Sequence, residues 1–321
     1  MEKPDQGHIL TDRMLGELVK DIQDEYRQAA KEIQKKMNVY FAEIGEQEQK
    51  QRLLLEQGEI TEKEFNDWRT RKLAMGKRYE EMRDNLAADM HNANKIAKQT
   101  ATGRMPDVYA LNHNFATYQV EHGGECDTGY ILYNRQTVER LRRQEEYVMP
   151  SPDKNKRNII PKDEQWNRRK IQSIMTQSIL QGESIPEISS RLARDLSTAN
   201  CASTIRYART MTTAAQNAGR QDAFERAEEM GVKMKKRWIA TLDDRTRHSH
   251  AILHGETTDI DEPFSNGLMY PADPEGDPEE VWNCRCTMRT IIDGFDRDIV
   301  KSSPKMGDMS FEEWQESRRK K

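Results

Sequence analysis

The sequence predicts a mainly α-helical protein with a long N-terminal helical hairpin and a small α+β domain near the C-terminus. Two observations predict this fold class. Long segments of the first hundred residues place apolar side chains at steps of three and four, the period of an amphipathic helix. The segment VKMKKRWIATL, residues 232–242, instead alternates apolar and polar side chains, which is the period of a strand.

Residues 1–100 are predicted to form the hairpin. Gly58 stands where the first helix is expected to stop. Thr61 and Glu64 form a capping box that starts the second helix, because each side chain can bond the backbone N–H of the other. The apolar stripes comprise Leu15, Leu18, Ile22, Tyr26, Ala29, Ile33, Met37, Tyr40 and Ile44 in the first helix, and Phe65, Trp68, Leu73, Tyr79, Met82, Leu86 and Met90 in the second. Two interpretations stay open: a docking stalk for another protein, or a hairpin that packs on its own chain.

Residues 101–162 are predicted to be a mixed segment that ends in a proline-rich basic linker, MPSPDKNKRNIIPKD. The next predicted domain, 163–298, begins with helices to residue 198, and Pro186 fits the first turn of the second of them. Residues 299–321 are predicted to be a tail with a short helix.

Within 163–298 a further helix is predicted over 203–230 and is closed by Gly231. One of its faces carries small residues, which would let another element approach closely: Ala208, Thr212, Ala215, Gly219, Ala223 and Ala227. A strand follows, with one predicted face made by Val232, Met234, Trp238, Ala240 and Leu242.

The charge and hydropathy of the sequence exclude several classes of protein. The net charge of −4 does not fit a polycation that coats nucleic acid. Residues 134–170 carry 11 Lys and Arg against 6 Asp and Glu, whereas residues 251–298 carry 3 against 12, so the second block would repel phosphate. No apolar run reaches the ~18 residues of a membrane helix, and no signal peptide is recognised at the N-terminus.

The segment ATLDDRTRHSHAILHGE, residues 240–256, holds three of the seven histidines. On a short helix His250 and His254 would share a face, and Cys284 and Cys286 of the NCRC segment would project to one side of an extended chain. Two imidazoles and two thiolates make a complete tetrahedral zinc set. The alternative, which the unusual cysteine spacing favours, is a hydrogen-bonded core histidine beside two buried thiols.

The acids and arginines of the same segment allow two interpretations. Asp243, Arg245, Arg247 and His250 resemble the acid–base cluster of a nuclease with phosphate-binding arginines. The acidic block that follows opposes a phosphate backbone, so ion pairing is the simpler interpretation. We therefore predict no catalytic residues and expect these side chains to pin the strand-to-helix turn to NCRC, with Asn283 as a cap or bridge.

The order and spacing of these motifs resemble the Mu F-like head morphogenesis family, the minor head proteins of tailed bacteriophages and their prophages. The resemblance covers about residues 160–295, through YARTMTTAAQNAGRQDAFERA, GVKMKKRWIATLDDRTRHSHAILHGE, YPADPEG and VWNCRCTMRTII. The matching positions are Arg209, Thr210, Trp238, Asp243, Arg245, Thr246, Arg247, His250, Gly255, Asn283, Cys284, Arg285 and Cys286. His254 lies outside the family pattern, which leaves Asp243 or water as the fourth ligand of a bound metal. More loosely, GEITEKEFNDW, VYALNHNFATYQVE and MSFEEWQESRR are similar to the longer minor capsid proteins of siphophages.

The resemblance implies a structural minor capsid protein of the virion, present in few copies inside the phage head and assembled in the host cytoplasm. It implies association with the portal protein in procapsid assembly, with the major capsid or scaffolding protein as further partners, and a later effect on DNA packaging or genome ejection. Non-specific contact between the arginines and packaged DNA is a hypothesis. Some relatives carry a toxin or transferase domain after this one, and the 35 residues after Cys286 (321 − 286) are too few for it, so we expect no enzyme, no membrane contact and no cofactor other than the zinc considered above. The alternatives are a metal-dependent nuclease or toxin-like enzyme delivered with the genome, and a scaffolding factor that leaves before the particle matures.

Overall fold

The computed structural model describes residues 5–136, 138–139, 160–296 and 300–319. Helices dominate, and small sheets lie in the C-terminal part, so the predicted fold class is confirmed. The main helices are α1 (Gln6–Glu56), α2 (Glu62–Leu73), α3 (Lys77–Gly124), α4 (Lys162–Leu180), α5 (Ile185–Glu229), α6 (His248–Ile252), α7 (Pro278–Val281) and α8 (Phe311–Arg319). The strands are β1 (Cys126–Asp127), β2 (Val232–Ile239), β3 (Thr257–Asp259), β4 (Thr287–Phe295) and β5 (Lys301–Ser302), and a 3₁₀ helix spans Pro304–Asp308. Residues 149–159 of the predicted linker lie outside the described residues.

Chain contacts divide the described residues into two compact units. The terminal unit combines Met1–Val19, Thr100–Met149 and Arg206–Lys321, and the middle unit combines Lys20–Gln99 and Pro150–Ile205. Helices α1, α3 and α5 each contribute to both units, so the units interleave along the sequence. The consecutive ranges predicted from the sequence stay a prediction. Among the described residues, the structure holds no helix with the length and apolar character that a membrane crossing demands.

Most of the predicted apolar stripe of α1 is buried, and Leu15 and Ala29 are half-buried. Its side chains at Ile22, Ile33 and Met37 are at most 1% exposed. Helix α1 ends at Glu56, and Gly58 has the positive φ of +74° that favours glycine. Burial of this stripe, rather than helix propensity, is what stabilises so long a helix.

The capping box at the start of α2 forms as the sequence predicts. The Thr61 backbone N–H donates to Glu64 Oε2 over 2.8 Å, and the Glu64 N–H donates to Thr61 Oγ1 over 3.2 Å. The second predicted helix is however interrupted after Leu73, and Gly76 with φ +85° precedes the start of α3.

Helix α3 continues to Gly124, so the prediction of a mixed segment from residue 101 was wrong for its first part. The reason is that this stretch buries polar side chains as well as apolar ones, which hides the helical period. Asn112 and His113 are fully buried. Asn112 Nδ2 donates to Thr11 Oγ1 over 2.7 Å, and the His113 ring stacks on Tyr133 at 4.0 Å between centroids.

Helix α5 is continuous from Ile185 to Glu229, although the sequence suggested a break near residue 200. The polar residues there are buried inside the middle unit, where Asn200 Nδ2 donates to Leu196 O and to Asn167 Oδ1. Pro186 lies in the first turn and Gly231, with φ +92°, follows the end, as predicted.

Strand β2 is the centre of a three-stranded antiparallel sheet with the order β3-β2-β4. Its alternation holds for Val232, Met234 and Trp238, whereas Leu242 lies beyond the strand and is 46% exposed, so its assignment to the buried face was wrong. Lys236 falls on the same face by alternation, although the predicted face did not include it, and it is fully buried. Its Nζ donates to the carbonyls of Ile260 and Met269 over 2.8 and 2.9 Å, and burial lowers its pKa to about 8.

The predicted short helix of the tail is α8, and its apolar face is buried. The Phe311 ring packs edge-on against Phe115 of α3 at 5.1 Å. Trp314 Nε1 donates to Glu121 Oε2 over 2.6 Å, and Arg318 forms an ion pair with the same carboxylate. The tail is therefore part of the core of the terminal unit.

Asp5 is held by a fully buried arginine, and this pair predicts a loss of stability in acid. Burial alone would raise the pKa of Asp5, but two 2.8 Å hydrogen bonds from Arg220 and its charge outweigh burial and lower the pKa to about 2. Because the folded pKa lies below the ordinary aspartate value of 3.8, the stabilisation is complete above pH 3.8 and is lost as the pH falls through about 2. The pH-dependent part amounts to about 2 kcal/mol. Urea unfolding of the wild type and of Asp5→Asn between pH 2 and 5 checks this, and parallel pH profiles of the two proteins would contradict it.

Candidate functional site

The site lies in the terminal unit, where the end of β2, the 240–256 segment and the 282–287 segment meet α5. Trp238 is fully buried and its ring lies edge-on to His250 at 5.4 Å. The Gly255 N–H donates to Trp238 O over 2.9 Å, and the Trp238 N–H donates to Glu256 O over 2.9 Å. Gly255 has φ +88°, a conformation that favours glycine, so these bonds close the segment back onto β2.

Asp243 joins the turn after β2 to the NCRC segment. Its two carboxylate oxygens each accept a 2.5 Å hydrogen bond from Arg285, and Oδ1 also accepts the Arg245 backbone N–H at 2.9 Å. The bonds from Arg285 hold the pKa of Asp243 well below its usual range. Thr246 Oγ1 lies 3.1 Å from the same oxygen and donates to Thr241 O. A planar carboxylate matched to a guanidinium fixes both distance and angle between the two segments.

Asn283 and Arg209 make a second bridge, from NCRC to helix α5. Asn283 has φ +61°, which asparagine tolerates better than most residues. Its Oδ1 accepts from Arg209 Nη1 over 2.9 Å, and its backbone N–H donates to Thr210 Oγ1 over 2.8 Å. Arg247 Nη2 donates to the carbonyl of Trp282. The Arg245 side chain, by contrast, is 74% exposed and lies 3.5 Å from Asp243 Oδ2.

His250, Cys284 and Cys286 form a buried cluster, each at most 2% exposed. His250 Nδ1 lies 3.6 Å from Cys284 Sγ and 3.4 Å from Cys286 Sγ. The ligand atoms of the three residues all lie within 4.8 Å of one another. The hydrogen bond shared by the two thiols lowers the pKa of Cys286 and raises that of Cys284. The pKa of His250 is raised, because the contact with Cys286 outweighs burial.

His254 does not join this cluster, so its place in the predicted four-ligand set is corrected. Helix α6 ends at Ile252, two residues before His254, so His254 is not on the helical face of His250. The His254 Nδ1 instead accepts the backbone N–H of Ala240 over 3.2 Å. Asp243 is likewise engaged by Arg285, and among the described residues only His250, Cys284 and Cys286 form a group that could hold a metal.

Three residues that shape the cluster were missed by sequence reasoning. Glu280 Oε2 lies 2.9 Å from His250 Nε2, an ion-pair distance for a protonated ring. On α5, Thr213 Oγ1 donates to Cys284 O over 2.8 Å and Asn217 Nδ2 donates to Cys286 O over 3.0 Å. The two α5 residues precede their partners by 71 and 69 positions, so no local pattern connects them.

Comparison with known protein families gives a match for the region that contains this site. Residues 169–289 match the family model described as Phage Mu protein F like protein. This region belongs to that family. All the site residues above lie within the Mu F-like region, which also takes in most of α4 and all of α5 and β2.

Curated relatives are similar to parts of the chain. The chain is 33% identical to the minor head protein GP7 of Bacillus phage SPP1 over 135 residues, 39% of this chain and 41% of that protein. It is 33% identical over 141 residues to a protein of Enterococcus faecalis named NAD(+)--arginine ADP-ribosyltransferase EFV, 42% of this chain and 29% of that protein. The chain thus spans less than half the length of these relatives. No solved structure matches the chain significantly.

We expect Arg247→Ala to destabilise the Mu F-like region by about 1–2 kcal/mol, because its charged donor to the Trp282 carbonyl is removed. Arg245→Ala is the matched control and should change stability by less than about 0.5 kcal/mol, since that side chain is largely solvated. Thermal and urea unfolding of both variants measure the difference. Equal stability of the two variants would show that the Arg247 hydrogen bond does not contribute to the stability of the fold.

Proposed function

We propose that this protein is a minor head protein of a tailed phage or prophage, acting structurally in head morphogenesis. The observation that carries the proposal is the membership of residues 169–289 in the Mu F-like family, together with the likeness to the minor head protein of phage SPP1. On this proposal the protein is a component of the virion, assembled in the host cytoplasm and located inside the head.

The geometry of the site supports a structural role. Asp243 and Arg285 bind each other, Arg209 binds Asn283, and each bond ties one chain segment to another. The thiol of Cys286 is only 2% exposed, so a substrate has no access to the Cys286–His250 pair in this conformation. Polar side chains that bind one another stabilise the fold, and few of them are left to bind or activate a substrate.

Association with the portal during procapsid assembly is the finer part of the proposal. The middle unit offers exposed apolar side chains that a partner would cover, with exposed fractions of 71% at Val39, 54% at Leu53 and 57% at Met75. Exposed apolar groups of this size favour protein–protein contact when they cluster. A portal-bound minor head protein would enter the head with the portal and then affect DNA packaging or genome ejection.

Co-expression with the phage portal protein tests this association. The tagged full chain should co-purify with the portal and elute with it in size-exclusion chromatography. Val39→Glu with Leu53→Glu should weaken the complex at least about 10-fold, which corresponds to about 1.4 kcal/mol. Ile131→Glu is the control, since Ile131 is 81% exposed but belongs to the terminal unit. No association at low or moderate salt would restrict the head assignment to the Mu F-like region, and absence of the chain from mature virions by mass spectrometry would favour the scaffolding alternative.

Contact with packaged DNA is a further part of the proposal. Arg209, Arg245 and Arg285 line one cleft of about 660 Å³ in the terminal unit. A duplex is too wide to enter it, so any contact would be between phosphates and the rim, without sequence choice. Binding of the full chain to a random duplex should weaken steeply as the salt concentration rises. Arg245→Gln should reduce the slope of the log binding constant against log salt concentration by about one. Absence of salt-sensitive binding would remove DNA from the list of partners.

An enzyme is the second candidate, because one relative is named an arginine ADP-ribosyltransferase. That match covers 29% of the relative, so the likeness concerns only a part of it. Incubation of the full chain with labelled NAD⁺ and an arginine-containing acceptor should give no transfer above the blank. Transfer that disappears in a well-folded His250→Ala variant would establish an enzyme and overturn the structural proposal.

A further inference from the structure

The buried His250–Cys284–Cys286 cluster has the spacing of a metal site. In a tetrahedral zinc site with Zn–S near 2.3 Å and Zn–N near 2.0–2.1 Å, a sulfur and a nitrogen ligand lie about 3.6 Å apart. The two sulfur–nitrogen distances here are 3.6 and 3.4 Å. We infer that these three side chains bind one zinc ion, which ties α6 to the NCRC segment.

The backbone around the cluster is fixed in the arrangement that binding needs. The carbonyls of both cysteines accept hydrogen bonds from Thr213 and Asn217 of α5, which settles the direction of the chain between them. The Cys286 N–H points at Cys284 Sγ over 3.4 Å, and such a donor stabilises a thiolate. Little reorganisation is therefore required when the ion binds.

Glu280 supplies the outer partner that metal-binding histidines generally have. It lies on the far side of the imidazole, with Oε2 2.9 Å from Nε2, while Nδ1 faces the two sulfurs. Ser249 Oγ donates to the same carboxylate over 3.2 Å. The contact satisfies an ion-pair distance but not hydrogen-bond geometry, and a carboxylate at this distance favours the tautomer with the proton on Nε2, which leaves Nδ1 to bind the ion.

The donor set selects the class of ion. Two thiolates and one imidazole suit zinc and disfavour magnesium or calcium, which prefer oxygen ligands. The cysteines bind the ion as thiolates and the histidine binds it as a neutral ring, so the protons that these groups carry leave as zinc enters. His254 and Asp243 already hold other partners, and no further His, Cys, Asp or Glu among the described residues joins the group, so we assign the fourth position to water. All three protein ligands are buried, at most 2% exposed, so the protein encloses the ion on the side of these ligands.

The decisive experiment measures metal content in the full chain, purified under reducing conditions after expression in zinc-supplemented medium. We expect about one zinc per chain in the wild type, because the three ligands form one site. Zinc should be lost from Cys284→Ser and Cys286→Ser and kept in Cys201→Ser, the matched control, because Cys201 lies outside the cluster. A wild type without zinc, or a Cys284→Ser, Cys286→Ser double variant that keeps it, would overturn the inference.

A second measurement covers the case in which the cysteine variants do not fold. The wild type refilled with Co²⁺ should show the thiolate-to-cobalt charge-transfer band and the visible spectrum of tetrahedral cobalt, and absence of both would count against the site. Competition with a chelator should show that Glu280→Gln weakens zinc binding by about 10–100-fold. The neighbouring Glu279 is exposed, so Glu279→Gln should leave the affinity unchanged, and equal effects of the two variants would refute the role of Glu280.

Discussion

Replacing Arg318 with methionine is expected to destabilise the terminal unit by about 3–5 kcal/mol. Arg318 and Glu121 are both fully buried and form an ion pair, and Arg318 Nη1 also donates to Asp127 Oδ1 over 2.8 Å. Removal of the guanidinium leaves a carboxylate without a compensating charge in an apolar surrounding, which costs far more than the loss of a surface pair. The remaining donors, Thr128 and Trp314, stabilise Glu121 only in part.

Urea unfolding of the full chain measures this effect, and hydrogen exchange of residues 311–319 shows whether α8 detaches first. Arg319→Met is the matched control, because Arg319 is the exposed neighbour on the same helix and should cost less than about 0.5 kcal/mol. Glu121→Gln added to Arg318→Met should restore part of the loss, since the buried charge is then gone. If Arg318→Met and Arg319→Met were equally stable, the buried pair would contribute nothing.

Local patterns predicted the parts of the fold that neighbouring residues determine. The stripe of α1, the capping box at Thr61 and Glu64, and the glycines at 58 and 231 each depend on residues within one or two helical turns. Their physical cause is contained in the segment itself, so the sequence shows it directly.

The features that sequence analysis missed depend on distant partners. Asn112 and His113 lie in the segment predicted to be mixed, yet Asn112 accepts a hydrogen bond from Arg220 and the His113 ring stacks on Tyr133. By alternation Lys236 lies on the apolar face of its strand, where a charge is not expected, but three acceptors on other segments allow it to be buried. Burial of a polar group is favourable only when partners are present, and a single sequence does not tell which partners will meet.

The candidate site was likewise predicted only in part. Spacing suggested that His250, Cys284 and Cys286 could meet, and the structure places them together. Spacing also suggested His254, but helix α6 has only five residues and ends before it. Glu280 lies in an acidic run where nothing distinguished it from its neighbours, because its significance comes from the position of the His250 ring.

A second large effect is expected from Gly219→Ala, which should destabilise the protein by about 3 kcal/mol. Gly219 lies on the small-residue face of α5, where a Cβ atom would be 2.5 Å from the Tyr109 carbonyl oxygen and 3.2 Å from the His113 nitrogen. Both atoms belong to the backbone of α3, so no side-chain rotation relieves the contact and the helices must separate. Alanine is otherwise the better helix former by about 1 kcal/mol, so without the close contact the substitution would raise stability rather than lower it.

Gly103→Ala is the control for this substitution, because Gly103 lies within α3 and a Cβ atom there meets nothing within 4 Å. It should leave stability unchanged or raise it by up to about 1 kcal/mol. If the same glycine-to-alanine change lowers stability at one helical position and raises it at the other, the close approach of the α3 and α5 backbones is what makes Gly219 necessary in the terminal unit. A stabilised Gly219→Ala protein would instead show that the helices have room to move apart. Since Thr213 and Asn217 hold the cysteine segment from the same helix, loss of that approach would also loosen the site.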